Sequence, residues 1–159
     1  MTRAWGAPAA TILIRVMVGA VFLSEGIQKF LYAEYVGAGR FARIGIPNPE
    51  LMAPLVGTIE IICGALVLLG LFTRWAVIPL LGIMAVAFVT TKLPILIGQD
   101  LGPFRVRQLS YYGFWSFAHE SRTDFSMVMG SLLLWWVGPG PLSLDARRHR
   151  RPVTETWSE

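Results

Sequence analysis

Apolar residues run almost unbroken through three stretches of this chain and, more briefly, through a fourth. A helix rising 1.5 Å per residue needs about 20 mostly apolar residues to cross a bilayer core. The stretches lie at roughly residues 9–31, 54–72, 75–97 and 124–142. Pro54 suits the first turn of the second helix, and Pro79 and Pro94 are tolerable bends in the third. In the fourth, Thr123 and Asp124 offer an N-cap, Trp135 and Trp136 an interfacial belt, and Pro139 and Pro141 an end. Only Thr73 and Arg74 separate the second and third stretches, which predicts a tight antiparallel hairpin. The loop at 32–53 is rich in Gly and Pro. The loop at 98–122 holds six aromatics between Phe104 and Phe117, as expected of a segment lying in the membrane interface.

This pattern predicts an all-α protein, an integral membrane four-helix bundle. It divides into a membrane domain at 1–144 and a basic tail at 145–159. Composition agrees: 54% of the 159 residues are hydrophobic and 15% charged, with mean hydropathy +0.55. The single cysteine, Cys63, offers no internal disulfide or thiol pair. Arg15 interrupts the first apolar run and no small-x-small site follows, so an uncleaved span is expected rather than a signal peptide. The net charge of +4 gathers partly in Arg147, Arg148, Arg150 and Arg151, which suits the flank of a span better than a nucleic-acid surface. Arg3, Arg74 and that cluster fall on one side; Arg40, Arg43, Arg105, Arg107 and Arg122 are spread over loops on the other. Density near the span ends therefore orients both termini to the cytoplasm.

Ionisable residues inside a span cost about 3 kcal/mol each on insertion scales, so each asks for a partner or a role. Glu25, Gln28 and Lys29 in the first span, Glu60 in the second, Lys92 in the third and Asp124 at the fourth count out to one layer near the outer leaflet. Arg15 alone lies toward the inner side. Arg15, Gly19, Phe22, Gly26 and Lys29 form one helical stripe, and Gly57, Glu60 and Gly64 another, so both faces should turn inward. Two readings of the layer stand: a polar pocket for a quinone head group or proton movement, or charges that neutralise one another and pin helix register. Arg15 can snorkel to head groups or bond a loop carbonyl. The only histidines, His119 and His149, fall outside the spans, so no intrinsic haem or other cofactor is expected. His119, Glu120 and Asp124 fall short of a recognisable metal set, and no metal is expected.

The stripe from Arg15 through Gly19-x-x-Phe22 to Gly26-x-x-Lys29 resembles the opening span of the DoxX family. Gly45-Ile-Pro-Asn-Pro49, then Gly57, Glu60, Gly64 and Gly70-Leu-Phe-Thr-Arg74, is similar to its second span and turn. The block from Tyr112 to Phe125, with Gly138 to Asp145, resembles a DoxX subgroup. The resemblance implies a bacterial or archaeal inner-membrane protein of four helices. Better-known relatives are membrane subunits tied to quinone-dependent redox chemistry, such as thiosulfate:quinone oxidoreductase, or partners in oxidative-stress complexes. No catalytic residue carries over.

The leading expectation is a non-catalytic subunit or anchor, in contact with the lipid bilayer, that helps a redox partner protein reach the quinone pool. The alternatives are a stand-alone quinone-coupled oxidoreductase using Glu25, Lys29, Glu60 and Lys92, and a small transporter or channel. A channel would require a homo-oligomer.

Overall fold

The computed structural model describes residues 8–149. Helices α1 (Thr11–Leu31), α2 (Ala38–Ile44), α3 (Pro49–Leu69) and α4 (Thr73–Ala87) come first. A wide π turn, Phe88–Lys92, leads into α5 (Leu93–Ile97), and α6 (Phe114–Val137) and α7 (Leu144–His149) follow. The described residues contain no named strand, only an isolated bridge between Leu101 and Phe104. The fold is all-α: α1 lies along α3, α4 along α6, the α3–α4 turn joins the pairs, and α1 meets α6 to close the bundle. Val18, Phe22, Val67, Val77, Leu80 and Leu134 form its centre. Leu13, Val16, Ile62, Ile78 and Trp136 face outward, as lipid contact requires. Three segments, Thr11–Leu31, Pro49–Leu69 and Thr73–Ile97, are long and apolar enough to span a membrane.

Several boundaries differ from the sequence reading. Helix α3 starts at Pro49, so Pro49 takes the first-turn place and Pro54 lies inside the helix. The turn between α3 and α4 is Gly70 to Phe72, and Thr73 and Arg74 already belong to α4. Gly70 ends α3 at φ +68°, its N–H bonding Val67 O while Leu71 N–H reaches back to Leu66 O at 2.9 Å. This left-handed ending satisfies carbonyls that the last turn would otherwise leave bare.

The largest difference is in α6. It begins after Gly113 rather than at Asp124 and ends at Val137, so Thr123 and Asp124 are not its cap. Half of the supposed aromatic loop (Phe114, Trp115 and Phe117) is helical, and Phe117 meets Phe88 edge to face at 5.6 Å. The polar stretch around His119 and Glu120 made that turn look like loop. On a helix, Ser116, Ser121 and Met127 face the bundle, and cations from neighbouring segments satisfy the acids. At 24 residues α6 measures about 36 Å, but it is not one of the three segments apolar enough to span a membrane.

Candidate functional site

Glycine sets the geometry of the α1–α3 seam. A Cβ on Gly19 would stand 2.8 Å from Gly64 O, one on Gly26 2.7 Å from Gly57 O, and one on Gly64 2.7 Å from Leu23 N. The two backbones are therefore in direct contact, as small residues permit between membrane helices. One turn beyond Gly26, Lys29 reaches across, and its Nζ lies 2.6 Å from Glu60 Oε2. Both side chains are buried, at 9% and 5% exposure. The same ammonium donates to Glu25 O at 3.4 Å and stands 4.0 Å from the Glu25 carboxylate, which is half exposed. A charge held in so dry a place needs its partner, because desolvation of either ion alone costs several kcal/mol.

A second cation is held on the other helix pair. The π turn ends at Lys92, whose Nζ lies 2.7 Å from Asp124 Oδ2 and donates to Glu120 O at 2.5 Å. Such wide turns are rare and recur at functional positions. Here the turn presents Thr91 and Lys92 on consecutive residues, Thr91 buried and Lys92 tied to α6. Glu120 itself takes Arg107 Nη1 at 3.2 Å.

The predicted layer thus resolves into two units, Glu25–Lys29–Glu60 between α1 and α3 and Lys92–Asp124 between α4 and α6. Gln28 joins neither; its amide donates to Ser24 Oγ on the same helix face at 2.9 Å. His119 is exposed on α6, its carbonyl accepting from Arg122 at 2.6 Å. Among the described residues no three of His, Cys, Asp and Glu gather as metal ligands. Cys63 is buried in the core.

Arg15 sits at the opposite, termini-bearing end and is 3% exposed. It donates to Val67 O (3.1 Å) and Leu68 O (2.6 Å) in the last turn of α3, and to Pro139 O (3.2 Å) and Leu142 O (3.0 Å) after α6. Of the two uses read from the sequence, the structure selects the carbonyls. Helix α7 completes this end: Asp145 N–H bonds Gly70 O at 3.0 Å and its carboxylate accepts from Phe72 N–H at 3.2 Å. The first residues of the basic tail are therefore packed on the α3–α4 turn, and residues 150–159 lie outside the described ones.

None of the candidate site residues read from the sequence lines the large cavity. That cavity, about 530 Å³, opens at the loop end between α2, the π turn and the segment after Leu101. Arg40 and Arg43 come from α2, Arg105 and Arg107 from the segment, and Thr91 from the π turn; no carboxylate is among its lining residues. Two backbone contacts hold the walls together. Arg105 N–H bonds Ile44 O at 3.1 Å, and Gly45, at φ +84°, lies so close to Pro103 O that any Cβ would collide. Only glycine tolerates both that angle and that approach. In the sequence these arginines read as scattered loop charges. The available signal was that Arg40/Arg43 and Arg105/Arg107 are two doublets on loops at the same end.

An all-helical membrane bundle with paired intramembrane charges, Arg15 locked at one end and an arginine-lined cavity at the other, defines a small multi-helix membrane protein. The chain belongs to the DoxX family, whose profile matches residues 10–93. It is similar to "Uncharacterized membrane protein Rv3486" of Mycobacterium tuberculosis, at 53% identity over 144 residues, covering 91% of this chain and 84% of that protein. It is also similar to "Putative oxidoreductase CatD" of Bacillus subtilis, at 36% identity, covering 85% of this chain and 84% of that protein. "Inner membrane protein YphA" of Escherichia coli matches at 28% identity, covering 88% of this chain and 91% of that protein. No solved structure matches the chain.

Proposed function

We propose that this protein is a non-catalytic membrane subunit or anchor of a quinone-linked redox or oxidative-stress complex. It lies in the inner membrane with both termini in the cytoplasm. The observation that carries the reading is the state of the intramembrane cations. Lys29 and Lys92 are each in contact with a carboxylate, at 2.6 and 2.7 Å, across two different helix pairs. Their charges fix the bundle, and the engagement of each ammonium by a carboxylate supports a structural use of the polar layer. On this reading the quinone and the electron carriers belong to the partner. The link to redox chemistry draws on the name of the Bacillus relative and the membrane location on that of the Escherichia one. The arginines of α7 close to the end of α6 support the orientation.

Purification in mild detergent, followed by mass spectrometry and a quinone assay, tests the proposal. A redox enzyme is expected in fixed ratio, with no quinone turnover by the isolated chain. Turnover by the isolated chain, lost in Lys29→Met and Glu60→Gln, would establish the stand-alone oxidoreductase instead. Thiol labelling of Arg40→Cys, Arg107→Cys and Arg148→Cys tests orientation: the first two should react from outside the cell and the third only after permeabilisation.

A further inference from the structure

The arginine cavity has a use that the redox reading does not supply. We propose that it is a binding site for a phosphate-type oxyanion, carried by the head group of an anionic lipid or free in solution. Four guanidinium groups line one cavity, and no carboxylate is among its lining residues. Arg107 is taken by Glu120 and Arg43 by two backbone carbonyls, Glu34 O at 3.0 Å and Tyr35 O at 3.2 Å. Arg40 and Arg105 have no side-chain hydrogen bond and no carboxylate within 4.0 Å among the described residues. Like charges gathered in one place repel, and an anion placed among them relieves that repulsion.

The remaining lining says what kind of anion fits. Guanidinium forks match the planar faces of phosphate oxygens and bind them bidentately. The wall is not purely polar: Tyr35, Ile44 and Val106 supply apolar surface beside the arginines. Thr91 adds a hydroxyl at the lining, held only by a long 3.5 Å contact to Thr90 Oγ1, whose own proton goes to Val86 O at 2.9 Å. A volume of about 530 Å³ is larger than one inorganic oxyanion fills and suits an esterified phosphate with part of its alcohol. Basic pockets between membrane helices hold anionic head groups on the same physical terms. The position matches, since α2 and the 98–113 segment cover the bundle end where helices leave the apolar layer.

The full chain in detergent, titrated with short-chain phosphatidylglycerol, phosphatidylcholine and inorganic phosphate in separate arms, tests the site, with native mass spectrometry and calorimetry as readouts. Saturable binding of phosphatidylglycerol but not phosphatidylcholine is expected, weakened about tenfold in Arg40→Gln and again in Arg105→Gln. If inorganic phosphate binds with the same dependence on both arginines, the site holds and its ligand is the free anion. These side chains make no fold-bearing hydrogen bond, so both variants should keep the wild-type unfolding midpoint. Arg122→Gln, outside the cavity, is the control and should bind as wild type. Binding that is unsaturable, or unchanged in both cavity variants, overturns the proposal.

Discussion

The two ends of the bundle use arginine in opposite ways. At the termini-bearing end Arg15 is buried and saturated, its guanidinium spread over four carbonyls from two segments. At the loop end Arg40 and Arg105 are exposed, with no carboxylate within 4.0 Å among the described residues. Formal charge is the same; the difference is where acceptors happen to be. The last turn of α3 leaves carbonyls with no partner in the helix, and a cation beside them also meets the negative end of the helix dipole. Around α2 and the 98–113 segment Arg43 takes the carbonyls of Glu34 and Tyr35 and Arg107 takes Glu120, while Arg40 and Arg105 face the cavity instead. An arginine that finishes helix ends is structural, and one left facing a cavity is available to something else.

The contrast can be broken in graded steps. Arg15→Met strands four buried acceptors at once and should lower stability in mixed micelles by about 3 kcal/mol or more, the largest loss of the series. Next, Lys29→Met leaves Glu60 as an unpaired buried carboxylate and should cost about 3 kcal/mol. Combining it with Glu60→Leu should recover part of that loss, which a double-mutant cycle of unfolding measurements would register as positive coupling. Gly26→Val forces α1 away from Gly57 and should cost about 2 kcal/mol, read in the same unfolding assay. Lys92→Met should cost about 1 kcal/mol, because Asp124 is a third exposed, and added salt should shrink the difference. At the far end of the scale, Arg40→Gln and Arg105→Gln should leave the unfolding midpoint where it was. A large midpoint shift in either would show the loop end to be built like the termini end and erase the contrast.

Much of the bundle was legible in the residues because its rules are local. Apolar length located the first three spans, and the four- and three-residue steps from Arg15 to Lys29 named the face that packs on α3. The fourth helix was misplaced by ten residues at its start because local hydropathy counts His119, Glu120 and Arg122 as solvent-seeking. Lys92 and Arg107, which hold Glu120 and Asp124, are distant in sequence. Pairing was legible only in part: that Lys29 and Glu60 share a layer follows from counting turns. That they meet each other, while Lys92 meets Asp124, depends on which helices become neighbours. The cavity was hidden for the same reason, since Ile44 and Arg105 come together only after α2 folds over the end of the bundle.

The glycine seam also has a genetic consequence. No side chain is smaller than hydrogen, so every missense change at Gly19, Gly26 or Gly64 adds atoms where α1 and α3 already touch through their backbones. The lipid-facing positions, such as Leu13 and Trp136, can exchange one apolar residue for another at little cost. Descent should therefore leave a dense record of change on the outside of this bundle and almost none along one line of its interior.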